Sequence, residues 1–211
     1  MKALVSIITV NYNGLRDTCE MIDSFRNHET YPHYEIIVVD NGSRLPEAEE
    51  YRNDTGVISY RAAPYQAALH RTTPSPFPPV KVVRNINNGF AGGNNAGLKA
   101  AGGDYLFFIN NDTLIKEPVL DALVRRMECD PQRNGGVSPM LKFAACPDIL
   151  QYAGFTPLSS LTLRNTSIGF MQQDGPRFRT PCETASLHGA AMMVSRQALQ
   201  DAGPMTEIYF P

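Results

Sequence analysis

Three absences narrow the class of this protein before any motif is considered. Lysine and arginine form no long cluster and the formal net charge is −2, which argues against binding nucleic acid through its phosphates. No stretch approaches the roughly 20 apolar residues of a membrane span. Cysteine is scarce, and the four cysteines lie far apart without metal-like spacing. We therefore expect reduced structural thiols in a cytoplasmic protein at Cys19, Cys129, Cys146 and Cys182.

The first ten residues superficially resemble a signal peptide. Their apolar core is short and runs into the polar segment 11–14 without a small-residue cleavage site. We therefore interpret residues 4–9 as a buried first strand. The length of 211 residues and the hydrophobic content of 43% are sufficient for one good core, so we expect a single domain over residues 1–211.

The first half of the chain alternates between strand and helix patterns. Continuous apolar runs predict a strand at 34–39 and a weaker one at 56–60. Helical spacing predicts a helix after residues 13–14, and an acidic segment at 46–51 predicts a short exposed helix. The apolar stripe of the first helix consists of Leu15, Cys19, Ile22 and Phe25. This order predicts an α/β fold with a Rossmann-like, mainly parallel sheet covered by helices on both faces.

A proline-rich segment at 62–79 interrupts the alternation, and we interpret it as a surface insertion. The alternation resumes at 80–83 and continues with a helix whose first turn suits Pro118. The buried stripe of that helix is expected to be Val119, Leu120, Leu123, Val124 and Met127. After a less regular region, residues 188–194 predict a strand, and Ser195 is predicted to begin another helix.

The stretch from residue 85 to residue 113 carries most of the functional information. A loop rich in glycine and asparagine is followed by a short helix of small residues at about 92–101. An apolar run at 105–109 then stops abruptly at the polar triplet 110–112, which is typical of a strand buried on both faces. Open α/β sheets bind ligands at the carboxyl ends of their strands, so we interpret this stretch as the floor of a site.

Three predicted strands end in polar side chains at this edge. The ends at 9–11, 40–43 and 110–112 offer amide and carboxylate acceptors for a base and a ribose. Asp112 suits a divalent cation such as Mg²⁺ when a diphosphate supplies the other ligands. Taken singly, each end is equally an ordinary turn, because Asx residues and glycine end strands in many proteins.

The loop at 87–97 is neither a P-loop nor a convincing dinucleotide-binding fingerprint. No Gly-Lys-Ser/Thr ends it, and it does not follow the first strand. Glycines such as Gly93 let the backbone approach a ligand, and the N-terminus of the following helix favours negative charge. Close packing of helix on sheet is the alternative, above all for Gly97 and Gly102.

His188 stands directly before a predicted buried strand. A histidine in this place can contact a donor phosphate or a metal ion. A lone histidine is more often structural, and both interpretations stay open.

Residues 5–13, 35–43 and 88–112 together resemble the family-2 glycosyltransferases of the GT-A fold. The run Asn-Asn-Gly-Phe-Ala-Gly-Gly-Asn-Asn-Ala-Gly, with the later Asn-Asn-Asp-Thr, is most similar to the rhamnosyltransferase-type branch. The resemblance spans nearly the whole chain in the right order. It implies the GT-A version of the α/β fold.

The resemblance implies a donor pocket built from the first two strand ends and the glycine-rich helix. Thr9 and Asn11 would line the nucleotide pocket, and Asp40 would hydrogen-bond the base or ribose. Asn94 and Asn95 match an Arg-Asn pair beside the donor, with Asn94 in place of the usual arginine.

The resemblance also implies a metal site at the end of the apolar run. Residues 110–112 occupy the place of an Asp-x-Asp metal motif, whose first carboxylate is here the amide of Asn110. Asp112 is therefore the one firm ligand expected for Mg²⁺ or Mn²⁺.

The C-terminus departs from the family pattern. Residues 189–194, Arg196 and 203–210 look like the run-up to a Glu-Asp motif that supplies the catalytic base, but the chain stops at Pro211. We expect a domain that is C-terminally incomplete or that lacks the base, and no catalytic residue is named. Glu207, just ahead of that motif, is a poor substitute.

The implied activity is inverting transfer of a sugar, with rhamnose as one candidate, from a dTDP- or UDP-sugar. The acceptor would be a saccharide or a lipid-linked molecule in the synthesis of a surface polysaccharide such as that of the cell wall. The implied place is the cytoplasm, including peripheral association with the inner face of the membrane. The alternatives are a catalytically silent nucleotide-sugar-binding fragment and an NAD-binding half-domain, the latter disfavoured by the missing glycine fingerprint.

Overall fold

The computed structural model describes residues 2–44, 48–53, 56–61, 78 and 80–209. Strands and helices alternate in the first part of the chain, and short strands follow in the second. In chain order they are β1 (Val5–Asn11), α1 (Leu15–His28), β2 (Tyr34–Asn41), β3 (Ala48–Asn53), β4 (Gly56–Arg61), β5 (Val80–Asn85), α2 (Gly89–Ala100), β6 (Tyr105–Ile109), α3 (Leu120–Cys129), β7 (Gly136–Val137), β8 (Leu141–Phe143), β9 (Cys146–Tyr152), β10 (Ala191–Ser195) and α4 (Arg196–Ala202).

The main sheet has six strands in the order β5-β2-β1-β6-β10-β7. The first four run parallel: Val5 of β1 lies opposite Tyr34 on one side and Tyr105 on the other. β10 is antiparallel to both of its neighbours, with Ala191 opposite Ile109. The prediction of a mainly parallel α/β sheet is confirmed.

Two hydrophobic cores cover the two faces of this sheet. Alternate strand residues such as Ile7 and Phe107 pack with α1 and α3 on one face. The intervening residues, including Ile8 and Phe108, pack with α2 and α4 on the other. Because both faces of the central strands are buried, these strands are mostly apolar, as parallel strands usually are.

The helices follow the apolar spacing of the sequence. All four predicted stripe residues of α1 are buried. α4 begins at Arg196, one residue later than predicted, because Ser195 is its N-cap: Ser195 Oγ accepts the N–H of Ala198 at 3.1 Å. Among the described residues, no helix is both long and apolar enough to cross a bilayer.

The prediction of an exposed helix at 46–51 is wrong. Its described residues belong to β3, which pairs antiparallel with β4 so that Asn53 lies opposite Gly56. The hairpin pairs the facing backbone groups of the two strands, and residues of the Asn and Gly types are typical of hairpin ends. The acidic composition of the segment indicated exposure but gave no helical period.

The predicted strand at 56–60 exists, but it does not join the main sheet. β5 takes the place beside β2, with Ile36 opposite Val80 and Asn41 opposite Asn85. The proline-rich segment at 62–79, interpreted as a surface insertion, lies outside the described residues except for Pro78.

α3 starts two residues later than Pro118 suggested. Its first residue is Leu120, because the carboxylate of Glu29 accepts the N–H groups of Val119 at 3.0 Å and of Leu120 at 3.1 Å. A carboxylate from the end of α1 thus caps α3. Four of the five predicted stripe residues are buried, and Val119 is half-buried.

Candidate functional site

The carboxyl ends of the parallel strands meet at one edge of the main sheet. Asn11 lies opposite Asp40, and Asn41 lies opposite Asn85. β6 runs parallel to β1, so Asn110 follows it at the same edge. We call this edge the rim and define it as residues 11–14, 40–43, 85–88 and 110–112.

Asn11 is buried at the rim and links two of its segments by hydrogen bonds. Its Oδ1 accepts the N–H of Gly14 at 3.1 Å and the hydroxyl of Thr18 at 3.0 Å, while its Nδ2 donates to Ser43 Oγ at 3.2 Å. It therefore ties the start of α1 to the loop after β2. Thr9 lies deeper, fully buried, and its hydroxyl has no hydrogen-bond partner among the described residues. The roles of Asn11 and Thr9 in donor binding stay predictions.

Asp40 joins the same hydrogen-bonded loop. Its Oδ1 accepts the N–H of Ser43 at 3.2 Å, and Ser43 Oγ also accepts the N–H of Asn13 at 3.0 Å. The other carboxylate oxygen of Asp40 forms no hydrogen bond with a described residue. It is the atom that a predicted contact with base or ribose would use.

An asparagine network fixes the loop that leads into α2. Asn41 Nδ2 donates to Asn87 Oδ1 at 3.2 Å and to the carbonyl of Gly89 at 3.1 Å. Asn85 Nδ2 donates to Asn41 Oδ1 at 2.9 Å and to Asn88 Oδ1 at 2.7 Å. Sequence reasoning missed this linkage, although asparagine follows both strand ends.

The glycines of α2 allow the helix to lie close to the sheet. A Cβ on Gly93 would lie 2.8 Å from Val10 Cγ1, and one on Gly97 would lie 2.5 Å from Ile8 Cγ2. Both distances are too short for any side chain. Gly102 differs, since its Cβ would meet nothing closer than 3.5 Å. Close packing therefore accounts for Gly97 and also for Gly93, whose donor contact stays a prediction.

Asn94 and Asn95 are both buried but have different partners. Asn94 Nδ2 donates to the carbonyl of Phe90 at 3.0 Å, within α2. Asn95 Nδ2 donates to Glu207 Oε1 at 2.7 Å and to the carbonyl of Met205 at 2.8 Å. The side chain of Asn95 is thus engaged by the chain itself, and donor contacts of either amide stay predictions.

The triplet after β6 reaches the start of α1. Asn110 N–H donates to the carbonyl of Ala190 at 3.0 Å, which joins the triplet to the segment before β10. Asn111 Nδ2 donates to Thr18 Oγ1 at 3.2 Å and to the carbonyl of Gly14 at 3.3 Å. Asp112 is exposed and forms no hydrogen bond or ion pair with a described residue.

Asp112 fits the expected metal ligand by its chemistry. It is an unengaged carboxylate at the rim, and oxygen donors of this kind are what Mg²⁺ and Mn²⁺ accept alongside phosphate oxygens. Among the described residues, no group of three or more His, Cys, Asp or Glu could hold a metal ion by itself. A cation at Asp112 would consequently need ligands from the substrate.

His188 lies on an aromatic cluster beside the rim. Its ring stacks on Phe155 at 5.9 Å with an interplanar angle of 5° and lies 4.8 Å from Tyr152. Nδ1 accepts the N–H of Ala190 at 3.1 Å. Burial lowers the pKa of His188 below its ordinary value. These contacts explain a structural role, and a phosphate contact stays a prediction.

Tyr12 is a rim residue that sequence reasoning did not single out. Its side chain is 47% exposed, directly after the buried Asn11. The sequence signal that distinguishes the exposed Tyr12 from the buried Asn11 is that successive side chains at a strand end point in opposite directions. An exposed aromatic ring in this place offers a flat surface to a base or sugar.

A cavity of about 910 Å³ is lined by residues outside the rim. It is bounded by α3, by β7 and by residues 178–187. None of the predicted site residues lines it. Its volume therefore gives no support to the rim as a binding site.

Two solved structures share this fold. TarS 1-349 from S. aureus is 17% identical, with a TM-score of 0.56, and the match covers 99% of this chain and 52% of that one. The mannosyltransferase PcManGT from Pyrobaculum calidifontis, in complex with GDP-Man and Mn²⁺, is 17% identical with a TM-score of 0.55. That match covers 99% of this chain and 49% of the other.

The chain thus spans about half the length of these structural relatives. Among curated protein sequences, none matches significantly. Residues 6–202 match Glycosyl transferase family 2, which covers nearly all of the sequence. The chain belongs to glycosyl transferase family 2.

Proposed function

We propose that this chain binds a nucleotide-sugar donor at the rim and transfers its sugar to an acceptor hydroxyl. The observation that carries the proposal is the exposed carboxylate of Asp112, which bonds to no described residue and lies at the same sheet edge as Asn11 and Asp40. Family membership supports sugar transfer as the reaction. The PcManGT structure, with GDP-Man and Mn²⁺, supports a nucleotide sugar with a divalent cation as the ligand pair.

Each described group at the rim has a separate task in this proposal. Tyr12 offers its ring to the base, and the free oxygen of Asp40 accepts from base or ribose. The N-terminal end of α2 favours the negative diphosphate through the helix dipole. Asp112 holds Mg²⁺ or Mn²⁺, which when bound neutralises charge on the leaving diphosphate.

The finer assignments rest on the sequence motifs. We propose a dTDP- or UDP-sugar as donor, with rhamnose as the first candidate, and a saccharide or lipid-linked acceptor in surface polysaccharide synthesis. We also propose that residues 1–211 act as one nucleotide-sugar-binding domain. An inverting course needs a carboxylate base. Glu207 is not that base in this arrangement, because Asn88 and Asn95 already bind its two oxygens.

Calorimetric titration tests donor binding. UDP, dTDP and GDP are each titrated with Mn²⁺ and with a chelator, against the wild-type chain and Asp112→Ala. We expect one nucleotide to bind best with Mn²⁺, and the substitution to weaken that binding about tenfold, equivalent to about 1.4 kcal/mol. Asp148→Ala, which removes an exposed carboxylate far along the chain from the rim, serves as the matched control.

Two results would contradict parts of the proposal. Equal affinity of wild type and Asp112→Ala in Mn²⁺ removes the metal role. Failure of every nucleotide to bind removes the donor site altogether. Donor hydrolysis measured with dTDP-rhamnose and UDP-sugars then separates a turnover-competent chain from a silent binding domain.

A further inference from the structure

A hairpin projects from the second half of the molecule. Phe155 and Ser167 form an antiparallel bridge. Beside it, the N–H of Thr156 donates to the carbonyl of Thr166 at 3.1 Å. Ser159 N–H donates to the carbonyl of Arg164 at 2.9 Å and closes the end. We call residues 155–167 the apical hairpin and residues 158–164 its tip.

The tip carries three exposed leucines among polar residues. Leu158, Leu161 and Leu163 are 63%, 91% and 75% exposed. Leu163 also has a positive φ of 52°, a backbone region that a bulky L residue rarely adopts. An exposed leucine cluster on a strained backbone costs stability unless it contacts something that is absent in the isolated chain.

Several backbone groups of the tip are satisfied within the tip. Ser159 Oγ accepts the N–H groups of Leu161 and Thr162, both at 3.3 Å, and its carbonyl accepts that of Leu163 at 2.9 Å. Three successive N–H groups thus have an internal partner. Internal pairing of this kind lowers the cost of moving backbone into an apolar layer.

The charge around the tip has one sign. Residues 149–173 contain no aspartate or glutamate, and their one charged residue is Arg164, in a chain whose net charge is −2. Arg164 has no acidic partner among the described residues. An apolar tip with an unpaired cation is complementary to acyl chains beneath anionic headgroups.

The base of the apical hairpin lies next to the rim. Phe155 stacks on His188, and the segment that follows His188 accepts the N–H of Asn110 at the carbonyl of Ala190. A surface touched by the tip is therefore connected to the rim by a packed and hydrogen-bonded path. The arrangement would bring an acceptor embedded in that surface toward the donor site.

We propose that the tip of the apical hairpin inserts into an anionic lipid bilayer. A second copy of the chain or a partner protein fits the tip less well. Stable protein interfaces bury roughly 800 Å² on each side, far more than three leucine side chains on a narrow turn can offer. The benefit to a lipid-linked acceptor rests on the proposed function, whereas insertion itself does not.

Flotation with vesicles tests the insertion without any donor. The whole chain is mixed with vesicles of phosphatidylcholine alone or with added phosphatidylglycerol. We expect binding to the anionic vesicles, reduced on the order of tenfold when Leu158, Leu161 and Leu163 are all replaced by serine. Arg164→Gln is expected to weaken binding to anionic vesicles about fivefold and to leave the weaker binding to neutral vesicles unchanged.

Ile208→Ser is the matched control, because Ile208 is 80% exposed but lies outside both the apical hairpin and the rim. Circular dichroism checks the fold, and Leu161→Ser replaces the triple variant if that one does not fold. No binding of the wild type, or equal binding by the leucine variant, overturns the proposal. A wild-type dimer that the leucine substitutions dissociate, seen by sedimentation, overturns it in favour of self-association. Nucleotide binding, measured separately, stays intact in each of these cases if the proposed function is correct.

Discussion

The side-chain amide of Asn95 forms two hydrogen bonds with the backbone of Met205. Its Nδ2 donates to the carbonyl at 2.8 Å, and its Oδ1 accepts the N–H at 3.0 Å. The same Nδ2 donates to Glu207, whose second oxygen accepts from Asn88 Nδ2 at 3.3 Å. One buried amide in α2 therefore fastens the segment that follows α4 to the helix beside the rim.

Asn95→Ala should release that segment. The substitution removes three hydrogen bonds at a buried position, with an expected local cost of about 2–3 kcal/mol. Because Met205 N–H loses its acceptor, its hydrogen exchange should become at least about tenfold faster. Exchange measured by NMR at Met205 reports this directly.

Asn94→Ala is the control for this experiment. Asn94 is equally buried, but its amide binds only Phe90 within α2. The exchange of Met205 should therefore be unchanged. Similar acceleration of Met205 hydrogen exchange in both variants would show a general loosening of α2. It would contradict a specific role of Asn95 in holding Met205.

Gly97→Ala should destabilise the protein although it improves helix propensity. Alanine gains about 1 kcal/mol over glycine inside a helix. The new Cβ would lie 2.5 Å from Ile8 and 3.0 Å from Val39, two buried strand residues, and overpacking of this kind costs about 1–3 kcal/mol. Denaturant unfolding should give a net loss of about 1 kcal/mol.

Gly102→Ala provides the comparison. Its Cβ would meet the nearest atom at 3.5 Å, which is ordinary contact, and its φ is not in the left-handed region. Its unfolding free energy should match that of wild type. If Gly97→Ala were as stable as Gly102→Ala, α2 would have room to move from the sheet.

The fold was largely predictable because its strands are buried on both faces. β1, β2 and β6 are mostly apolar along their length, and a sheet with two covered faces buries such runs. The start of α3 was not predictable, since its cap is the carboxylate of Glu29, 90 residues before Val119. β3 was missed because an acidic segment at a hairpin carries no strong period.

The location of the candidate site was predictable from the sequence, but which of its side chains are available to a ligand was not. Strand ends of a parallel sheet meet by topology, which brings Asn11 beside Asp40. Which groups face outward depends on alternation and on local partners. Asn11 and Asn95 are occupied internally, whereas Asp112 is not. Only the structure makes these distinctions, because the sequence does not show whether an asparagine amide bonds within the protein or is available to a ligand.

Glu35 should stabilise the fold at neutral pH and lose that effect in acid. Burial raises the pKa of Glu35, but hydrogen bonds from Lys81, Gly102 and Ser6 outweigh burial and lower the pKa below its ordinary value. A folded-state pKa below the unfolded one means that the stabilisation is complete above the unfolded pKa. It disappears as the pH falls through the folded pKa.

Glu35→Gln tests this sign. We expect a loss of about 2 kcal/mol at neutral pH, because the Lys81 ammonium loses a buried partner, and a smaller difference from wild type in acid. Urea unfolding at several pH values measures it. Glu20→Gln, in an exposed pair with Arg16, should cost at most about 0.5 kcal/mol. If the difference in unfolding free energy between Glu35→Gln and wild type grew in acid, the predicted sign of the pH dependence would be wrong.

His188 should make the base of the apical hairpin sensitive to acid. Burial lowers its pKa, and its Nδ1 must stay unprotonated to accept the N–H of Ala190. The stabilisation is therefore present above the unfolded pKa and is lost as the pH falls through the lower folded pKa.

His188→Asn keeps an acceptor near that position but removes the titration, so its stability should depend less on pH than that of wild type. Thermal unfolding at several acidic pH values should give melting temperatures of wild type and His188→Asn that approach each other as the pH falls. The reason is that protonated His188 cannot accept the N–H of Ala190. His28→Asn, at an exposed end of α1, is the control for replacing a histidine that does not contact Ala190. Parallel curves for His188→Asn and wild type would mean that the ring accepts a proton in place, with Ala190 bound by another group.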